Sequence, residues 1–319
     1  MASSITATEP LKKSDRQDRL RDAIDTVNDI ILGKQDQVQL AFSCLLARGH
    51  LLIEDVPGVG KTTLAHALAT VLGADYQRIQ FTSDLMPADI LGVSIYRRDQ
   101  EHFEFHPGPI FADLVLADEV NRATPKTQSA LLEAMAEGQV TIEGETHKLP
   151  VPFFVIATQN PLDLVGTFPL PDSQLDRFLL SIRLGFPDPQ VERELLLAED
   201  RASLLAKTSA ALTLKDVCQL QAQCDRVHAS EALLDYVQAL LAETRNSRWF
   251  ETGLSPRAGI ALLSCSRAFA FLDGRDFIMP EDIKAVFPAL ARHRMTVHQG
   301  MEVSVDEQIR GLLNQVAVP

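Results

Sequence analysis

Basic residues are in short supply. The chain has 319 residues, with 30 lysines and arginines against 43 acids, for a net charge of −13. Such a surface repels a polyanion as a whole, which argues against nucleic acid as the main partner, although a small basic pore remains compatible with it. Long apolar runs are missing too. No stretch approaches the ~20 residues of a membrane-spanning helix, so no membrane insertion is expected. Met1 to Pro10 has neither a basic start nor an apolar centre, which speaks against a secretory signal. The four cysteines, Cys44, Cys218, Cys224 and Cys265, stand far apart. Cys218 and Cys224 fall on different faces of any helix, and the set reads as reduced thiols in a cytoplasmic protein. There is no internal repeat and no low-complexity run. What is present, 46% hydrophobic and 23% charged residues, is ordinary for a globular protein, and the length suggests two domains.

The chain is organised around Glu54 to Thr63, Glu-Asp-Val-Pro-Gly-Val-Gly-Lys-Thr-Thr. An apolar run, His50 to Ile53, precedes it and reads as a buried parallel strand. The run from Leu64 to Leu72 reads as a helix with Gly73 as its stop. Strand, turn and helix in this order form a phosphate cradle built from Asp55, Val56, Pro57, Gly58, Val59, Gly60, Lys61, Thr62 and Thr63. Gly58 and Gly60 let main-chain N–H groups converge on an anion, and the helix start adds its positive dipole end. Lys61 can reach the β- and γ-phosphates of a nucleotide, and the Thr62 hydroxyl can hold Mg²⁺. The strict pattern has Gly where this chain has Asp55; Asp tolerates left-handed backbone better than most residues, so the turn is expected to form.

A second stretch, Leu114 to Glu119, is an apolar strand that ends in two acids. Lying some 60 residues after a phosphate loop, Asp118 is placed to hold Mg²⁺ and Glu119 to polarise an attacking water as general base. The strand Phe153 to Pro161 ends in Asn160, which can position water near a γ-phosphate or simply form a turn. Leu170 to Phe178 leads into a last strand, Leu179 to Leu184, and contains Arg177. The plain reading of Arg177 is a pair with Asp176 or another neighbour.

Around these motifs the chain divides readily. Residues 1–13 look like a flexible tail. Ser14 to Gln17 has the form of a capping box for a first helix with Leu20, Ile24, Val27 and Ile31 on one face. A second helix runs from Gln35 to Arg48 and stops at Gly49. These two helices either shelter a nucleobase or merely pack. A strand is expected over Asp75–Phe81, a helix start over Thr82–Gly92, and hairpins over Val93–Phe105 and Gln139–Leu149. Between the hairpins, Thr124-Pro125 opens a helix that stops at Gly138. His102, Glu104 and His106 share one strand face; an exposed hairpin explains them better than a metal site, since no fourth ligand is in evidence. Beyond a boundary near Phe186 the pattern is wholly helical, over 189–205, 214–224, 231–245, 256–272 and 280–290. Asp188 and Ser255 are cap candidates, each just before Pro. Arg257 then lies in a first helical turn, where a cation opposes the dipole. That placement makes sense if Arg257 faces a phosphate.

Asp118-Glu119, Asn121-Arg122-Ala123, Gln128 to Met135, Ala157 to Pro161, Leu175 to Phe178 and Gly108 to Phe111 together resemble the MoxR family of AAA+ ATPases over roughly residues 19–290. The resemblance implies an α/β fold: a P-loop core over 14–186, with a parallel sheet between helices and two hairpin inserts, followed by an all-α lid over 187–319. It makes Lys61 and Thr62 the Walker A contacts and Asp118 and Glu119 the Walker B pair. It also makes Asn160 resemble sensor 1, Arg177 the arginine finger and Arg257 sensor 2. A finger at the carboxyl edge of the sheet can meet a neighbouring subunit's γ-phosphate. Members of the family act as hexameric, chaperone-like remodellers of protein clients, often with a von Willebrand factor A domain partner. The expected activity is therefore ATP hydrolysis with Mg²⁺, coupled to client remodelling. Two other classes fit the core: a nucleic-acid motor, against which the charge argues, and a nucleotide-gated scaffold, which has no need of Glu119, Asn160 and Arg177 together.

Overall fold

A computed structural model describes residues 13–99, 101–161, 165–197, 201–298 and 304–318. Apart from Lys13, the expected tail lies outside the described residues. Helix α1 (Lys13–Ile30) already includes Ser14, so Ser14 falls inside the helix and not before it. Leu20, Ala23, Val27 and Ile30 form its buried stripe. Helix α2 (Gln35–Leu46) ends earlier than the sequence suggests, because Arg48 turns left-handed at φ 56°. Gly49 serves close packing instead: a Cβ there would meet the Leu179 side chain at 2.3 Å.

Strand β1 (Leu51–Glu54) runs into the phosphate turn and helix α3 (Lys61–Leu72), which Gly73 terminates at φ 59°. Strand β2 (Tyr76–Gln80) follows, then a short helix α4 (Pro87–Leu91) and the antiparallel hairpin β3 (Gly92–Arg97) and β4 (His102–Pro107). Strand β5 (Leu114–Asp118) leads through a 3-10 turn to α5 (Pro125–Glu137). The second hairpin is β6 (Gln139–Ile142) and β7 (Glu145–Lys148). Strand β8 (Phe154–Gln159), the single turn α6 (Asp172–Leu175) and strand β9 (Leu180–Ile182) complete the α/β part. On β4, Glu104 accepts a hydrogen bond from Arg97 at 2.5 Å and lies 3.8 Å from His106. Among the described residues no group of three His, Cys, Asp or Glu side chains is placed to hold a metal ion.

The five core strands form one parallel sheet in the order β2-β5-β8-β1-β9. Buried on both faces, they carry continuous apolar runs and not alternating ones. Leu51, Ile53, Leu116 and Ile156 point to one face, toward α1, α2 and α3; Leu52, Val115, Ala117 and Val155 point to the other, toward Phe81, Ile90 and Leu131. The register sets Ile53 beside Thr158 and Gln80 beside Asp118. The carboxyl ends of β1, β2, β5 and β8 therefore finish at one level, where ligands of open parallel sheets bind.

Among the described residues the remaining elements are helices: α7 (Pro189–Leu197), α8 (Arg201–Lys207), α9 (Leu214–Cys224), α10 (Glu231–Asn246), α11 (Pro256–Leu272), α12 (Pro280–Ala291) and α13 (Val305–Gln315). Of the helix expected over 189–205, the described residues show α7 up to Leu197 and α8 from Arg201; residues 198–200 lie outside the described set. Helix α13 was open to sequence reading, since Ser304 and Glu307 form a capping box. The apolar residues of α9 to α13 join those of α1, α2, α3 and one sheet face in a single buried cluster. The four cysteines are free. Burial pushes the thiols of Cys44, Cys224 and Cys265 upward, that of Cys224 to about 12, which leaves them inert.

Candidate nucleotide-binding site

The turn between β1 and α3 needs glycine for its backbone. Gly58 and Gly60 have φ of 85° and 95°, a region that L side chains rarely enter. A Cβ at either would meet no protein atom within 4 Å, so the concave side of the turn is open. Lys61 begins α3 and is only 9% exposed; its Nζ donates to the Asp55 carbonyl at 2.6 Å. Burial lowers its pKa from the ordinary lysine value, while Asp118, Asp55 and Glu119 act in the opposite sense. Thr62 stands exposed in the first turn of the helix. Asp55 departs from expectation, since its backbone is not left-handed. Its carboxylate instead accepts from the N–H groups of Val56 at 2.9 Å and Gly185 at 2.6 Å. The position supplies a buried acceptor that ties the phosphate turn to the segment after β9, which Gly could not do.

A cavity of about 410 Å³ opens beside this turn, within the ~300–1,000 Å³ of typical small-molecule sites. Gly58, Gly60 and Thr63 lie in its wall, together with Ile31 from the α1–α2 junction, Phe186 and Leu196. Lys34 donates to the Phe186 carbonyl at 3.0 Å and links the α1–α2 junction to the segment after β9. The junction of the first two helices thus forms an apolar wall beside the phosphate turn, suited to a flat base.

The acids at the end of β5 are held in a network. Asp118 is 7% exposed. Its Oδ1 accepts from the Thr158 hydroxyl at 2.6 Å; its Oδ2 accepts from Arg78 Nη2 at 2.6 Å and Nε at 3.1 Å. Glu119 adopts a left-handed φ of 57°, uncommon without glycine and often found at functional positions. Its N–H donates to the Thr158 hydroxyl at 2.9 Å. Its Oε2 accepts from Gln80 at 3.0 Å and sits 3.0 Å from Arg122 Nε. Asn160 is buried just past β8. The parallel register, which pairs Ala117 with Ala157, brings Thr158 of β8 next to Asp118.

Arg177 and Arg257 stand elsewhere. Together with Asp176, Arg294, His50 and Met135 they line a cavity of about 230 Å³ that shares no lining residue with the one beside the phosphate turn. Arg177 Nη1 donates to the Leu132 carbonyl at 2.6 Å. The plain pairing of Asp176 with Arg177 does not occur; Asp176 pairs with Arg294, Nε to Oδ1, at 2.7 Å. Arg257 is the second residue of α11, after the Ser255 cap and Pro256. Sequence reading missed Arg78, Gln80, Thr158 and Arg294. Arg78 and Gln80 alternate along β2 on its exposed side, yet nothing in a lone edge strand marks which acid they will meet.

A parallel sheet of this order, with a phosphate turn, an acidic strand end beside it and a helical lid, defines an AAA+ nucleotide-binding module. Residues 50–180 match the family described as ATPase family associated with various cellular activities, and residues 242–311 match the AAA lid domain. The chain is 43% identical over 300 residues to the uncharacterised protein YeaC of Bacillus subtilis, spanning 93% of this chain and 94% of YeaC. It is 40% identical over 312 residues to Chaperone MoxR1 of Mycobacterium tuberculosis, spanning 94% and 82% of the two. A crystal structure of an inferred ATPase from Cytophaga hutchinsonii superposes with a TM-score of 0.87 at 35% identity, covering 95% of this chain and 96% of that one. The chain belongs to the MoxR family of AAA+ ATPases.

Proposed function

We propose that this protein hydrolyses ATP to ADP and phosphate and uses the cycle to remodel a protein client. The observation that carries the reading is the open glycine cradle with Lys61, set at the level where β5 ends in Asp118 with Glu119 next in the chain. Lys61 would hold the β- and γ-phosphates. The donor set suits Mg²⁺, which keeps most of its waters and takes one or two protein oxygens plus phosphates; here Thr62 and Asp118 would hold it. The ion would neutralise charge on the β- and γ-oxygens.

Water attacks the γ-phosphorus; the new P–O bond forms as the bond to the β–γ bridging oxygen breaks, and the proton passes to the Glu119 carboxylate. Asn160 orients the water. Arg177 and Arg257 line a cavity separate from the phosphate cradle, which supports a role on the nucleotide of an adjoining copy in a hexameric ring. Charge from such donors on the transferring phosphoryl group is the main source of rate. The similarity to a protein named as a chaperone supports client remodelling, and the family resemblance supports a von Willebrand factor A domain partner. A cytoplasmic site of action agrees with the free thiols, and no helix among the described residues is long and apolar enough to cross a membrane.

Phosphate release by the purified chain tests this directly. Glu119→Gln should still bind ATP while its turnover falls by about 10²–10⁴, the usual worth of a general base. Turnover at the wild-type rate in that variant would remove Glu119 from the mechanism.

A further inference from the structure

Arg294 sits in the turn after α12 with its side chain 7% exposed. A guanidinium has five N–H donors, and here each has an acceptor. Nε donates to Asp176 Oδ1 at 2.7 Å. Nη1 donates to the carbonyls of Leu290 at 2.6 Å and Leu179 at 3.0 Å. Nη2 donates to the carbonyls of Phe178 at 2.6 Å and Asp176 at 3.4 Å. All but the Leu290 bond go to residues 176–179. His293 adds to the same grip, with Nε2 3.0 Å from the Phe178 carbonyl.

Arg177 lies in the middle of that grip, with the residue before it and the residue after it both held. Filling space at this site would call for an apolar side chain, since a buried ion pair is seldom better than a hydrophobe for stability. What a planar fork of five donors adds is geometry, because it fixes several carbonyls in one orientation. The anchor is also informative. Through the Leu290 carbonyl the fork is tied to α12, which packs on α11, the helix that carries Arg257.

We propose that Arg294 is a positioning residue for Arg177: it locks the Asp176–Leu179 turn onto the end of α12, and so fixes the aim of the Arg177 guanidinium and its place relative to Arg257. The proposal rests on the reading of Arg177 as the group that completes an adjoining copy's site. Arg294 itself touches no nucleotide in this scheme. Its loss therefore acts on turnover through Arg177 and leaves ATP binding, which belongs to the phosphate cradle of the same chain, intact.

The test is steady-state ATP hydrolysis with nucleotide titration for Arg294→Gln, Asp176→Asn, Arg177→Ala and the double variant Arg177→Ala/Arg294→Gln. A misplacement of about 1 Å in a catalytic group costs on the order of 10²-fold in rate. We expect Arg294→Gln to lose about that much in kcat with its KM near wild type, and the double variant to be no slower than Arg177→Ala alone, the sign of residues that act as one unit. Asp176→Asn, at a partly exposed position (30%), should show the same split more weakly and carries the test if Arg294→Gln fails to fold. Weakened ATP binding in Arg294→Gln or in Asp176→Asn, full turnover in either, or rate losses that multiply in the double variant would overturn the proposal. An inactive Arg177→Ala beside a fully active Arg294→Gln overturns the proposal alone. A fully active Arg177→Ala overturns the underlying reading of the finger and the proposal with it.

Discussion

Thr158→Val is the sharpest probe of the network behind the acids. Thr158 is fully buried. Its hydroxyl donates to Asp118 Oδ1 at 2.6 Å and accepts from the Glu119 N–H at 2.9 Å. Valine keeps the shape and removes both bonds. A hydrogen bond to a charged acceptor contributes about 1.5–3 kcal/mol, and a donor left without a partner costs about 1–3 kcal/mol. Together they set an expected loss of about 2.5–6 kcal/mol. In urea, with a slope of about 2–3 kcal/mol per molar, the midpoint of ligand-free protein should fall by about 1–2 M. The same change frees the left-handed Glu119 from its backbone anchor, so turnover should fall with stability. Thr158→Ser keeps the hydroxyl and should retain most of both. A valine variant with the wild-type midpoint, or a serine variant as weak as valine, would refute the reasoning.

Two further outcomes are expected. Lys61→Ala removes the only cationic side chain of the Glu54–Thr63 turn and should nearly abolish ATP affinity in a fluorescent-nucleotide titration, with the circular dichroism spectrum unchanged; normal affinity would detach Lys61 from the phosphates. Stability should also fall in mild acid. Burial lowers the His50 pKa to about 4 from an ordinary 6.5, so between those values the unfolded chain holds the extra proton; the stabilisation is complete above pH ~6.5 and is lost toward pH 4, by roughly 3 kcal/mol in all. His293, lowered to about 3, acts in the same direction. Urea midpoints at pH 7.5 and 5 in wild type and His50→Gln measure this, and equal pH slopes in the two would count against it.

Much of the fold could be read from the chain because local signals and topology agree. The β1 run, the glycines at 58 and 60, and the Gly73 stop of α3 each follow from the backbone they must adopt. Both expected hairpins form, as the antiparallel pairs β3–β4 and β6–β7. What escaped reading depends on partners far away in sequence. Asp55 looked like a tolerated substitute for Gly, yet its carboxylate binds the N–H of Gly185, 130 residues on. Arg78 and Thr158 converge on Asp118 from strands to either side of it, each 40 residues away. Arg294 meets Asp176 across 118 residues. Such pairings are set by strand order and lid packing, which no local pattern encodes.

The central claim is that one active site is completed by two copies of the chain. Mixing Arg177→Ala with Lys61→Ala tests it most directly. Neither variant should hydrolyse ATP alone: the first holds nucleotide without a working finger, and the second keeps its finger without holding nucleotide. In mixed assemblies an Arg177→Ala copy can receive an intact Arg177 from a Lys61→Ala neighbour. The account therefore expects phosphate release to reappear on mixing, at a level that rises and falls with the ratio of the two. Fully mixed assemblies that stay silent at every ratio, or Arg177→Ala protein that hydrolyses ATP at full rate by itself, would contradict it.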